Sequence, residues 1–173
     1  MSRASLCAFV LIVLSGSGVR LSAQTETVSP EVTPIGVAGI KALLHERHGK
    51  VLFLNVWATW CAPCAEEFPD IVKIHQTYSG DSVEVCAISI DYPDEIESKI
   101  LPFITSHKIP FRVYVSNIKK DEDLMNALQP SWNGAVPATF IFDRNGKLCS
   151  FMTGQREYQT FEAALDSVLR SRR

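Results

Sequence analysis

An α/β architecture, a central mixed β-sheet flanked by helices on both faces, is what the sequence predicts, and three observations predict it. Val51 to Trp57 is an almost wholly apolar run rich in β-formers, as a strand buried on both faces of a parallel or mixed sheet requires. Apolar residues at helical spacing follow it, and the same alternation of strand and helix repeats twice more down the chain. Near the end, Asp143-Arg144-Asn145-Gly146 divides two short apolar runs, and its Asn-Gly pair signals a hairpin that closes the sheet with antiparallel strands. At 173 residues, 46% hydrophobic and 21% charged, the chain suits one folded domain and excludes disordered, collagenous and low-complexity classes.

The chain begins with Arg3, the nine-residue apolar run Leu6 to Leu14, a polar stretch from Ser15 to Arg20, and Leu21-Ser22-Ala23. The run is about half the roughly 20 residues a spanning helix needs. Basic, apolar and small-residue regions in that order predict an export signal over residues 1 to 23, the alternative being an uncleaved N-terminal anchor. Cys7 lies inside the apolar run, too early for a lipoprotein cysteine. Residues 24 to 34 show no periodicity and read as a linker, leaving residues 35 to 173 as the domain. The formal net charge is -2, and the only basic block is Arg170, Arg172 and Arg173, so nucleic acid is not an expected partner.

Within the domain, Ile40, Leu43 and Leu44 predict a short helix that Gly49 can stop. The strand from Val51 to Trp57 runs through Ala58-Thr59-Trp60-Cys61-Ala62-Pro63-Cys64 into a helix carrying Phe68, Ile71, Val72 and Ile74. Val83 to Ile90 is the next strand. Pro93 to Ser106 is helical through Ile96, Ile100, Leu101 and Ile104, with Pro102 able to bend it. Phe111 to Val115 is a short strand, and Asp121 and Asp123 can cap a helix that ends at Leu128 before Pro130. Ala138 to Phe142 and Leu148 to Met152 form the hairpin strands. Phe161, Ala164, Leu165, Val168 and Leu169 place a last helix on one apolar face.

The chemistry lies in the CxxC. Two cysteines three apart at a helix start put both sulfurs on one face, close enough to form a small-ring disulfide. Cys61 would sit at the positive end of the helix, where amide N-H groups stabilise a thiolate, and the thiolate is the nucleophile of disulfide exchange. Cys64, a turn deeper and more shielded, is placed to attack a mixed disulfide on Cys61. Pro63 fits the first turn, where its missing N-H has no partner to lose. Zinc needs further ligands, and neither a second CxxC nor a His-x3-His is present. As a structural staple so small a loop constrains little of the unfolded chain.

Trp60-Cys61-Ala62-Pro63-Cys64 after Leu54-Asn55-Val56-Trp57-Ala58-Thr59, then Glu67-x-Pro69, and later Val136-Pro137-Ala138-Thr139-Phe140 before Asp143-x-Asn145-Gly146, resembles the thioredoxin fold. More narrowly it is similar to the TlpA/ResA-like and CcmG/DsbE-like extracytoplasmic thiol-disulfide oxidoreductases, from about Gly49 to the C-terminus. The resemblance implies a cis Pro137 packed against the CxxC, with the Val136 backbone pairing to a bound client strand, and Trp60 beside the nucleophile. It implies that Glu67 tunes proton movement at Cys64. Cytoplasmic thioredoxin carries a buried Asp where this chain has Asn55, and an amide cannot take up that proton, so Glu67 is the candidate acceptor. Glu66 has no role beyond the helix dipole.

Cys86 and Cys149 fall on strands separated by two others in this fold. Three strand spacings of about 4.8 Å put them roughly 14 Å apart, beyond disulfide reach, and both are expected to be buried thiols. His45, His48, His75 and His107 show no ligand spacing and read as surface residues. Trp132 reads as a core aromatic that could overhang the groove.

The expected function is that of an exported, periplasmic thiol-disulfide oxidoreductase that reduces disulfides in periplasmic or cell-surface client proteins, with Cys61 attacking, Cys64 resolving and no cofactor beyond the redox-active disulfide. The resemblance implies a membrane thiol donor of the CcdA/DsbD type and clients that include apocytochrome c, a role in cytochrome c-type biogenesis. The competing readings are a thiol peroxidase of the redoxin group and a metal- or haem-handling chaperone with Cys61 and Cys64 as soft ligands.

Overall fold

The computed structural model of the protein describes residues 31–45, 49–78, 80 and 82–171. The expected export signal, most of the expected linker, and His48 lie outside the described residues. One six-stranded mixed sheet in the order β1-β4-β3-β2-β5-β6 organises the chain, from β1 (Val32–Ile35), β2 (Val51–Trp57), β3 (Val83–Ser89), β4 (Arg112–Ser116), β5 (Ala138–Phe142) and β6 (Leu148–Thr153). The first four are mutually parallel, whereas β5 runs antiparallel to β2 and β6 to β5. The α/β expectation therefore holds, and the sheet is mixed because β5 enters antiparallel to β2 before the Asp143–Gly146 turn reverses the chain into β6.

Every residue of β2 is buried, as its continuous apolar run requires of a central strand. Alternation sends Leu52, Leu54 and Val56 to one face, where they meet Ile40 and Leu44 of α1 (Val37–His45) and Leu124 and Leu128 of α4 (Asp121–Leu128). Val51, Phe53 and Trp57 face α2 (Ala62–Tyr78), α3 (Leu101–Ser106) and α5 (Tyr158–Arg170) on the other. On α5, Phe161, Leu165 and Val168 are spaced 3 to 4 residues apart and all reach the core, each contributing about 1.5–3 kcal/mol. Phe161 meets Phe53 edge to face at 5.2 Å between ring centroids.

Four expectations need correction. The linker does not extend to residue 34: Val32 to Ile35 pair in parallel with β4 as an edge strand, held by its backbone, with Thr33 and Pro34 exposed. Pro93 to Ser106 is not one helix but a 3₁₀ turn, a π turn over Ile96–Ile100 and then α3, with Pro102 in the first turn of α3, where its missing N-H costs nothing. Asp121 and Asp123 do not cap α4. Lys120 holds the N-cap position with no side-chain bond, and the two aspartates lie in the first turn, where they complement the helix dipole.

The fourth concerns Cys149, which is exposed rather than buried, because β6 is the other edge strand and its outer face is uncovered. Cys86 is a buried thiol on β3, with β2 and β5 between it and β6. In the hairpin, Gly146 alone takes the left-handed conformation, at φ 83°, while Asp143 Oδ1 accepts from the Asn145 and Lys147 amides.

Candidate active site

The carboxyl ends of the parallel strands lie together at one end of the sheet, where α/β folds place their sites. There β2 stops at Trp57 and Ala58–Trp60 lead into α2, with Cys61 at the helix N-cap. Its carbonyl accepts from Cys64 N at 3.1 Å and Ala65 N at 3.2 Å. Its Sγ accepts from the Cys64 amide at 3.3 Å, so the sulfur occupies the place of a capping side chain, and that N-H together with the helix dipole favours a thiolate there. Cys61 and Cys64 are joined in a disulfide, S–S 2.09 Å, with Cα atoms 5.2 Å apart. Cys61 is 5% exposed and Cys64 is fully enclosed, so an incoming group meets Cys61 first.

Behind the disulfide lies a buried polar cluster. Glu67, one turn past Cys64 on the same side of α2, is buried, whereas Glu66 is exposed. Asn55 Nδ2 donates to Glu67 Oε1 at 2.8 Å and to Thr139 Oγ1 at 3.0 Å. The register explains the second bond, because Asn55 and Thr139 stand directly opposite on β2 and β5. Glu67 Oε2 accepts from the Arg156 backbone N-H at 3.1 Å. Desolvation pushes the Glu67 carboxyl up to about 7, outweighing the opposing hydrogen bonds from Asn55 and Arg156. A carboxyl poised there can take and return a proton near neutral pH.

The approach to Cys61 is fixed by a residue that sequence reasoning missed. Buried Asp91 accepts from Thr59 N at 2.9 Å, Thr59 Oγ1 at 2.7 Å and Ser89 Oγ at 2.5 Å, clamping the loop that carries Trp60 and Cys61. Its signal was a lone acid directly after the apolar run of β3. Trp60 and Tyr92 are the exposed large hydrophobic side chains among the described residues, at 68% and 72%. They border a cleft of about 850 Å³ with Met125, Trp132 and Gly134. Trp132 is both buried and at the cleft wall, and its Nε1 donates to the Ala135 carbonyl at 2.9 Å, holding the segment that enters Val136.

The Val136–Pro137 peptide bond is cis, and Val136 packs against the apolar cluster that contains Cys61 and Cys64. The Pro137 carbonyl accepts from Gly154 N at 2.8 Å. Thus Cys61, Cys64, Glu67 and Val136 are drawn to one end of the sheet, with Trp60 at its rim. The histidines are not drawn there as a group: His107 stacks on Phe103 at 3.9 Å between centroids, and His75, half-buried against Phe111, is held below its ordinary range by burial.

Comparison with known proteins agrees with this geometry. The AhpC/TSA family profile matches residues 30–150. The thiol-disulfide oxidoreductase ResA of Geobacillus kaustophilus is 26% identical over 142 residues, covering 82% of this chain and 76% of that protein. A thioredoxin-family thiol:disulfide interchange protein from Chlorobium tepidum superposes with a TM-score of 0.61 at 23% identity, over 75% of this chain and 84% of the other. A DsbF homologue from Corynebacterium diphtheriae gives a TM-score of 0.59 at 26% identity, over 69% and 72%. With a redox-type cysteine pair at the head of α2 of a thioredoxin fold, the chain belongs to the AhpC/TSA family and is a thiol-disulfide oxidoreductase.

Proposed function

We propose that the enzyme works as a reductase of disulfides in exported client proteins. The observation that carries the reading is the Cys61–Cys64 disulfide with a buried carboxyl one turn behind it. Negative charge beside Cys64 disfavours its thiolate, which favours the disulfide form and makes the dithiol a good electron donor.

In the reductive half-reaction, the Cys61 thiolate attacks one sulfur of a client disulfide. A Cys61–client bond forms, the client S–S bond breaks, and the first client sulfur leaves as a thiolate that takes its proton from water. Glu67 takes the proton of the Cys64 thiol, and Cys64 Sγ attacks Cys61 Sγ. This restores the Cys61–Cys64 disulfide and releases the second client sulfur, which takes the proton back from Glu67 and leaves as a thiol, so two electrons have passed to the client. A dithiol donor then reduces the pair again. By likeness to the ResA-type relatives, that donor is a membrane thiol protein of the CcdA/DsbD type and the clients are extracytoplasmic, with apocytochrome c cysteines among them. The short apolar run at Leu6–Leu14 supports export; no helix among the described residues is long and apolar enough to cross a membrane. Trp60, Val136 and Pro137 form the client contact, with Val136 offering its backbone to an extended client strand.

The test is a trapping assay. Cys64→Ser should accumulate a stable mixed disulfide at Cys61 with a disulfide-bearing polypeptide, and the wild type should release it as dithiol. Peroxide consumption without polypeptide reduction would instead favour a thiol peroxidase, and stoichiometric metal retained at the cysteines would favour a chaperone.

A further inference from the structure

Both hydrogens of the Asn55 amide nitrogen are used, on Glu67 Oε1 and Thr139 Oγ1, while Asn55 Oδ1 is buried and has no hydrogen-bond partner. Buried polar atoms without partners are uncommon, and a carbonyl oxygen with two lone pairs is expected to find a donor. The Nδ2 side of the arrangement suits a carboxylate at Glu67 and is wrong for a carboxylic acid. Glu67 Oε2 is committed to the Arg156 N-H, so a proton on the carboxyl sits on Oε1, where it would face the Nδ2 donor. A half-turn of the amide removes that conflict. Oδ1 then accepts from both the Glu67 O-H and the Thr139 O-H, so the oxygen gains the donors it lacked, while Nδ2 takes the position Oδ1 held.

We propose that Asn55 is a positioning residue whose carboxamide turns over with the protonation state of Glu67, Nδ2 serving the carboxylate and Oδ1 serving the acid. The inference rests on the reading that Glu67 moves the Cys64 proton, and gives that carboxyl a partner that holds its geometry in both states. The charged groups acting on Glu67 are Asp70 from its own helix and Arg156 from the loop before α5, and the sheet contributes the uncharged Asn55 and Thr139. Neither charge can exchange a donor for an acceptor. An amide can.

The experiment is an NMR titration of the oxidised protein from pH 5 to 9, following the Glu67 carboxyl carbon and the Asn55 side-chain amide. The two should titrate with one midpoint, and the Asn55 amide protons should lose their contact with Thr139 on the acid side. A Glu67 carbon that titrates while the Asn55 amide stays unchanged would overturn the proposal. Asn55→Asp, close in shape, should raise the Glu67 midpoint by at least about one pH unit, because two carboxylates in one site compete for a proton. An unmoved midpoint in the folded variant also overturns it. Failure of the underlying reading looks different: Glu67 and Asn55 would titrate together, yet Glu67→Gln would leave the pH profile of client reduction intact.

Discussion

Alternate residues of β2 look into two different interiors. Leu52, Leu54 and Val56 face α1 and α4 and meet Phe140, Phe142, Leu124 and Trp132 in an apolar layer. Asn55, between Phe53 and Trp57 on the other face, meets a carboxyl and a hydroxyl instead. Burying an amide and a carboxyl costs stability unless each is bonded, and even then returns less than a packed aliphatic pair. The polar cost is confined to the face and the end of the strand that carry Cys61 and Cys64. Both faces of the sheet supply stability, and the one that carries the cysteines gives up part of its own to a proton acceptor.

The sharpest break of this comparison is Cys61→Ser, which should lower disulfide reduction by at least about 1,000-fold while the fold persists, since the nucleophile is lost and packing hardly changes. Insulin reduction alongside circular dichroism checks both halves. Leu54→Ala, on the apolar face, should do the reverse: a loss of about 3 kcal/mol in denaturant unfolding from the cavity, with the redox chemistry intact below the transition.

Glu67 makes the two faces differ in pH response. Its folded pKa is raised from 4.5 to about 7, so the native state holds the proton more tightly than the unfolded chain. Stability from this group is full below pH 4.5 and falls as the pH rises toward 7, by about 3 kcal/mol. Glu67→Gln should remove that slope in denaturant melts at pH 5 and 8. It should also slow client reduction by about 100-fold near pH 8, where the wild-type carboxylate is ready to accept a proton. The smallest effect belongs to Cys149→Ser on the exposed edge strand, within about 0.5 kcal/mol of wild type and without change in thiol exchange rate.

What could be read from the sequence, and what could not, divides along the same physical lines. Val51–Trp57 announces itself because burial on both faces forces a continuous apolar run, and the CxxC announces itself because its chemistry needs that spacing. The strand at Val32–Ile35 does not, since an edge strand pairs through its backbone and of its side chains Ile35 alone is buried. Cys149 reads as core in a β-pattern that says nothing about whether its outer face is covered. Glu67 was visible as a position one turn past Cys64, but its partners were not: Arg156 lies 89 residues away, and Asn55 meets Thr139 only through the β2–β5 register. Asp91 likewise needs the strand ends brought together before its clamp on Thr59 exists.

The central claim is that Cys61 and Cys64 form a reducing couple with Glu67 behind them. Its most direct test is the reduction potential of the pair at pH 7, by equilibration against dithiothreitol and trapping of free thiols. A value near or below that of thioredoxin, about -270 mV, is expected, and a value near about -120 mV, that of a disulfide-installing oxidant, would contradict the claim.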